Sequence, residues 1–225
     1  MKVLITGDVH NRFNDLNKII NKKKPDLVLC CGDFGFWPAL NKSRGSEPLS
    51  NIKLQTAKEI RWCDGNHEDH WALRDRKTDE LEPGIIYQPR GSTYTLPDGR
   101  VVLFMGGALS IDKHLRRIGV DWFPEETITQ KDLDNLPNLK VDIFVTHTCP
   151  VELVGVLKVN YPEKGIEPSN YALTELWKYY KPDLWFFGHW HQYLETTLEH
   201  TKVHALSAPG FGDRWYMWLP EKEES

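Results

Sequence analysis

The sequence has no apolar run approaching the ~20 residues that cross a bilayer, and its opening MKVLITGDVH reaches a polar Thr-Gly-Asp too soon for the core of a signal peptide. Both absences argue against a membrane partner and point to a cytoplasmic chain. Cysteine is scarce: Cys30, Cys31, Cys63 and Cys149 lack framework spacing and sit in or beside apolar runs. They are expected as reduced core residues, not as disulfides or a zinc knuckle. Positive charge is not in excess either, with 28 Lys and Arg against 32 Asp and Glu and a net charge of −4. The only dense basic run, Lys22-Lys23-Lys24, precedes Pro25 at the end of an expected helix, where cations meet the negative pole of the helix dipole. A nucleic-acid partner is therefore not favoured. Internal repeats and low-complexity segments are missing, and nothing in the pattern speaks to oligomeric state.

What is present suits a globular α/β protein. The 225 residues are 40% hydrophobic and 27% charged, which predicts one large domain over 1–219. Residues 220–225 read as a solvated acidic tail, and 36–50, with Pro38, Gly45 and Pro48, as a long loop. Strand-length apolar runs recur at 3–5, 27–30, 60–63, 101–105, 141–145 and 184–187. Between the first two, Phe13, Leu16, Ile19 and Ile20 fall at helical spacing, with Asn11 as N-cap. Ser169 is the expected cap of a second helix with a stripe of Leu173, Leu176, Trp177 and Tyr180, ending near Lys181 because Pro182 follows. Strand and helix alternate at both ends of the chain, while 85–105 and 193–219 predict hairpins, the first turning at Leu96-Pro97-Asp98-Gly99.

Polar residues gather where these strands end. The runs close in Gly7-Asp8-Val9-His10, Gly32-Asp33, Gly65-Asn66-His67-Glu68, Thr146-His147 and Gly188-His189-Trp190-His191, which uses five of the nine histidines. Ligands of open α/β sheets bind beyond the carboxyl ends of the strands, and glycine lets the backbone turn away sharply there. In the octapeptide LWFFGHWH, a strand continued to its end would point His189 and His191 the same way, toward one centre. A single zinc site takes about four donors, whereas Asp8, His10, Asp33, Asn66, His147, His189 and His191 make too many for one ion. Asp33, the acid in the middle of the set, is the natural bridge, since a carboxylate has two oxygens. Nitrogen and oxygen donors without thiolate suit manganese, iron, zinc or nickel, with manganese taken first. Cys149 is expected in the core despite its nearness to His147.

D-x-H, GD, GNHE, a lone H and GHWH, in this order, resemble the calcineurin-like metallophosphoesterase family over residues 8–191. The resemblance implies a four-layer α/β/β/α sandwich with a site for two divalent ions at one edge. Asp8, His10, Asp33 and His191 would bind one ion, and Asp33, Asn66, His147 and His189 the other. His67 would act on the leaving group while a metal-bound hydroxide attacks phosphorus in line. The Ser/Thr phosphoprotein phosphatases of this family carry GD-x-x-D-R-G and R-G-N-H-E, but here Phe36, Trp37 and Asp64 stand at the corresponding aspartate and arginines. That departure argues against protein phosphatase activity and leaves Asp64 or Asp69 as the expected partner of His67. A further stretch over 106–126 is similar to one in short bacterial and prophage-encoded members. Within it Lys113 and Arg116, three apart, are expected on one side of a helical turn as anion contacts. Trp37 and Trp122 are expected as flat walls for a planar group.

The leading expectation is a phosphoesterase acting on phosphomono- or phosphodiesters of small molecules or nucleotides. A non-catalytic binding scaffold, as in the retromer subunit that shares the fold, would be expected to lose donors that this chain keeps. A nuclease would want the basic groove that the charge balance does not provide.

Overall fold

The computed structural model describes residues 1–38, 48–55, 57–134, 136–160, 163–212 and 214–222. Residues 39–47 of the expected loop and 223–225 of the expected tail lie outside the described residues. In chain order the strands are β1 (Val3–Thr6), β2 (Leu27–Cys30), β3 (Glu59–Trp62), β4 (Glu80–Glu82), β5 (Ile85–Tyr87), β6 (Thr93–Thr95), β7 (Val101–Met105), β8 (Ile143–Thr146), β9 (Leu184–Phe187), β10 (Leu194–Leu198), β11 (Thr201–Ala205) and β12 (Tyr216–Trp218). The helices are α1 (Phe13–Lys23), α2 (His70–Arg74), α3 (Gln130–Leu133), α4 (Val151–Leu157) and α5 (Pro168–Tyr180).

Two mixed sheets result, ordered β12-β1-β2-β3-β5-β4 and β10-β11-β9-β8-β7-β6. Alternation along the strands makes them a sandwich, because the central strands are apolar on both faces. Val3, Ile5, Leu27, Leu29, Ile143, Val145, Leu184 and Phe186 meet in the core between the sheets. Their neighbours Leu4, Val28, Cys30 and Ile60 face outward onto Phe13, Leu16 and Ile20 of α1. On the other side Phe144, Trp185 and Phe187 pack against Leu153, Leu157, Leu173, Leu176 and Trp177 of α4 and α5. Three apolar cores thus separate four layers, α/β/β/α. Removing a fully buried aromatic such as Trp185 would cost about 3–5 kcal/mol. All four cysteines are buried and unpaired, and burial raises each thiol pKa.

Several local expectations need correction. Asn11 does not cap α1: it sits at φ 61 and its amide donates to the Gly35 carbonyl, while Arg12 occupies the cap position. Ser169 lies inside α5, where its hydroxyl accepts the Ile128 N–H; the Glu167 carboxylate is the cap and accepts the Ser169 N–H. Pro168 at the first helical position sets the start of α5, a signal that outranks the serine after it. Only 93–105 forms the first expected hairpin, because β5 pairs in parallel with β3 in the other sheet. Likewise β10 and β11 form a hairpin, but β12 crosses to pair with β1.

The sheets share one functional edge. β1, β2 and β3 run parallel in one sheet, β8 and β9 in the other, and the loops leaving them interlock. Val9 N donates to Asp33 O at 3.0 Å, Gly188 N to His147 O at 3.0 Å, and the His147 ring meets the Cys31 carbonyl at 2.8 Å.

Candidate metal centre

Leaving strand geometry at this edge carries a conformational cost. His10, Asp33, His189 and His191 all hold positive φ, at 48°, 44°, 65° and 49°, a region that costs a non-glycine residue about 1–3 kcal/mol. Four donor positions adopt it because the turn swings their side chains back over the strand ends. His189 and His191 are therefore not a strand pair: His191 Nε2 faces Asp8 and His10, whereas His189 Nδ1 faces Asn66. Glycine is required beside them for room. A side chain at Gly188 would run into Asp8, and one at Gly65 into Asp33 and His147.

Asp8, His10, Asp33 and His191 each bring one donor atom within 4.8 Å of the others. His191 Nε2 is 2.9 Å from Asp8 Oδ2 and 2.8 Å from His10 Nε2, and His10 Nε2 is 3.6 Å from both Asp8 Oδ2 and Asp33 Oδ2. Burial would raise Asp8, but hydrogen bonds from His10 and His191 and the His147 charge hold it well below the usual carboxylate range. Burial would lower His10, and Asp8 and Asp33 overcome it.

The second set converges on Asn66. Its Oδ1 lies 3.1 Å from His147 Nε2 and 3.0 Å from His189 Nδ1, and His147 Nε2 is 3.4 Å from Asp33 Oδ1. The Cys31 carbonyl can only accept, so it takes the proton of His147 Nδ1 and, in the neutral ring, turns the Nε2 lone pair toward Asn66 and Asp33. Ring nitrogens and amide and carboxylate oxygens converge here within 3.0–3.4 Å of one another, the nitrogen and oxygen chemistry that a divalent ion takes, and the residues fit a metal. His189 is pushed well below its ordinary value by burial, then by the Lys164 and His147 charges, which keeps it in the unprotonated state a ligand needs.

His67 stands beside both sets. Its backbone N–H donates to Asp33 Oδ1 at 2.7 Å, its ring packs edge-on against His10 at 5.1 Å, and its Nε2 is 3.0 Å from Arg116 Nη2. Burial, with the His10 and Arg116 charges behind it, depresses His67 to about 4. The expected carboxylate partners are occupied elsewhere. Asp69 caps α2 by accepting Ala72 N–H. Asp64 is buried in a pair with Arg90, Nη2 to Oδ2 at 2.7 Å, and also accepts the Tyr87 hydroxyl at 2.8 Å. Arg90 in turn donates to the carbonyls of Glu125, Glu126 and Thr127.

Of the expected substrate contacts, Arg116 reaches the site, held also by Asp112 at 2.8 Å, while Lys113 is exposed at the start of a short 3-10 turn. Arg116 follows that turn in extended backbone, so the helical turn expected to carry both cations ends before it. Trp37 is half-buried against Phe123, 6.2 Å between rings, and Trp122 is half-buried in the same segment.

Four contributors carried little signal in sequence. Glu68 accepts Gly35 N–H at 2.9 Å and Gly65 N–H at 2.6 Å, tying the loops after β2 and β3 together; its place in GNHE was the available clue. Ser110 and Glu126 stand behind Asn66, with Asn66 Nδ2 donating to Ser110 Oγ at 3.0 Å. Lys164 donates to the His189 carbonyl at 2.5 Å and lies over the Trp190 ring. No local pattern distinguishes it from the chain's other lysines.

The profile of the calcineurin-like phosphoesterase family matches residues 1–193, and the chain belongs to that family. No curated protein matches it. Among solved structures, the phosphopantetheinyl hydrolase PptH from Mycobacterium tuberculosis shares the fold with a TM-score of 0.56 and 14% identity, covering 100% of this chain and 98% of that one. TT1561 of Thermus thermophilus does so at 0.55 and 16%, covering 92% and 89%. GAP50, the anchor in the inner membrane complex of Plasmodium, does so at 0.52 and 12%, covering 91% and 70%. Family membership brings metal dependence, and the Asp/His cluster is where a metal could sit. No described helix is long and apolar enough to cross a membrane.

Proposed function

We propose that this calcineurin-like phosphoesterase hydrolyses phosphoesters of small molecules or nucleotides, diesters before monoesters, with two divalent ions, manganese first. The observation that carries the reading is the position of Asp33, whose Oδ2 faces His10 at 3.6 Å and whose Oδ1 faces His147 at 3.4 Å. One carboxylate thereby serves two donor sets: Asp8, His10 and His191 on one side, Asn66, His147 and His189 on the other. Ions held there would supply a water of lowered pKa and positive charge for the phosphoryl oxygens. His67 stands off both sets as the group for the leaving oxygen. Arginine can only donate, so Arg116 holds His67 Nε2 as an acceptor; a phosphoryl anion drawing Arg116 toward itself would remove a cation that keeps the ring unprotonated, so that Nε2 could take up the proton it gives to the leaving oxygen.

A diester needs room on two sides of phosphorus. One cleft of about 250 Å³ adjoins His189, lined by Leu109, Ile111, Ile166 and Trp190. Another of about 380 Å³ adjoins His191, lined by Tyr193, Phe211 and Arg214. Trp37 and Trp122 remain candidates for a planar group, and Lys113, at the rim of the first cleft, for an anionic one. GAP50 is an anchor on this fold, but the complete donor set and His67 favour chemistry here.

The test is a panel of bis-p-nitrophenyl phosphate, p-nitrophenyl phosphate, a phosphopeptide, cyclic nucleotides and single-stranded DNA, with manganese and after chelation. Diester hydrolysis ahead of monoester, abolished by chelator and restored by manganese, is expected. Full activity of the chelated chain, or of a chain saturating at one ion, would overturn the two-ion reading.

A further inference from the structure

An asparagine ligates through its oxygen alone, and its amide can face either way at nearly the same steric cost. Something must therefore choose the orientation of Asn66. Its Nδ2 donates to Ser110 Oγ at 3.0 Å. Ser110 gives both of its protons to one carboxylate: its N–H to Glu126 Oε1 and its hydroxyl to Glu126 Oε2, each at 2.7 Å. A carboxylate accepts and does not donate, so the hydroxyl proton is committed to Glu126 and only lone pairs face Asn66. An amide turned the other way would set its oxygen against those lone pairs. Asn66, Ser110 and Glu126 are 5%, 2% and 1% exposed, so no bulk water relieves the conflict.

We infer that Ser110 and Glu126 are positioning residues that fix the Asn66 amide with Oδ1 toward His147 and His189, and so govern ion binding in that half of the site and not in the other. This assigns a task to the segment over 106–126. Its Ser110 and Glu126 brace Asn66, its Arg116 holds His67, and carbonyls at its end hold the Arg90 that pairs with Asp64. All three contacts support one loop, Asp64-Gly65-Asn66-His67. The inference rests on the reading of Asn66 as a donor to the second ion.

The test is calorimetric titration of the chelator-stripped full chain with manganese, in the absence of substrate. Ser110→Ala should weaken one ion by about 10- to 100-fold, the usual loss when a ligand's support is removed, and leave the other within about threefold. Glu126→Gln, which keeps one acceptor oxygen of two, should fall between. Asn66→Asp has an oxygen in either orientation, so adding Ser110→Ala to it should change ion affinity by less than about threefold, a coupling that a purely structural role would not produce. If Ser110→Ala does not fold, Glu126→Gln with and without Asn66→Asp makes the same comparison. Should Asn66→Ala keep both ions, the ligand reading fails and the inference with it. Should Asn66→Ala lose one ion while Ser110→Ala and Glu126→Gln bind both normally, the ligand reading stands and the inference is overturned. An equal Ser110→Ala loss in the Asn66→Asp background also overturns it.

Discussion

Asp8, His10 and His191 meet one another with both histidines partly open, whereas Asn66, His147 and His189 also meet one another but carry a buried layer of groups behind them that would donate nothing to a metal. The side chains of His10 and His191 are 22% and 23% exposed, while that of His147 is fully buried. The open half relies on opposite charge, with Asp8 well below its ordinary pKa and His10 above. The closed half relies on support: the Cys31 carbonyl behind His147, Ser110 behind Asn66 and Lys164 on the His189 backbone. In the two-ion proposal, an ion in the open half would neutralise carboxylate charge, and one in the closed half would take the oxygen and nitrogen lone pairs gathered around Asn66. Asp33 faces a ring nitrogen of each half with a different oxygen, which makes it the place to test the contrast hardest.

Asp33→Asn should have the largest effect. It removes the bridging charge, so both ions should weaken and turnover should fall on the order of 10⁴-fold as several kcal/mol of charge stabilisation is withdrawn. Metal analysis after manganese loading checks this; loss from one half only would mean the halves do not share the carboxylate.

His67→Ala comes next. It touches neither donor set directly through its ring nitrogens, so metal content should be unchanged while turnover drops roughly 10²- to 10⁴-fold. The drop should shrink for esters with good leaving groups. Equal slowing of p-nitrophenyl and alkyl esters, or loss of metal, would break the separation between donors and the leaving-group residue.

The same contrast explains what could be read in sequence. All the donors but His147, which follows Thr146, come directly or within three residues after a glycine at the end of an apolar strand, so strand length and turn chemistry locate them, and the two-sided apolar strands announce a buried sheet. The supports are dispersed. Ser110 lies 44 positions from Asn66 and Glu126 16 beyond that, Lys164 lies 25 before His189, and Cys31 acts through its carbonyl, which no side-chain pattern reports. The helix starts were missed for a local reason, since Asn11 and Ser169 are good caps on their own but Gly35 and Ile128 claim their side chains. The pairing of β12 with β1, in place of a hairpin within 193–219, was not legible because a short strand carries no record of its neighbour.

Third in size, His189→Ala and His191→Ala should each weaken one ion, by about 10²-fold, and leave the other nearly untouched. They should differ in stability. His189 is 8% exposed and packs against His147 at 5.0 Å, so its loss leaves a cavity; His191 is half-buried beside Phe211. Thermal unfolding of the metal-free chains should fall several degrees for His189→Ala and little for His191→Ala. Equal shifts would remove the distinction between a closed and an open half.

The smallest expected effect is at Arg116, proposed as a contact for the substrate and not for an ion. Its guanidinium, held by Asp112 and by His67 Nε2, lies at the edge between the two halves and can offer two N–H groups to one phosphoryl group. Arg116→Ala should raise KM for anionic esters by about tenfold, with both ions bound as before, because one charge-assisted contact of roughly 1.5 kcal/mol is lost. Arg116→Lys should recover only part, since an ammonium cannot span two oxygens. Because Arg116 also occupies His67 Nε2, the variant should not slow the chemical step for activated esters to the extent that His67→Ala does. Unchanged KM across the panel would leave phosphate recognition to the ions and confine Arg116 to holding His67 in place.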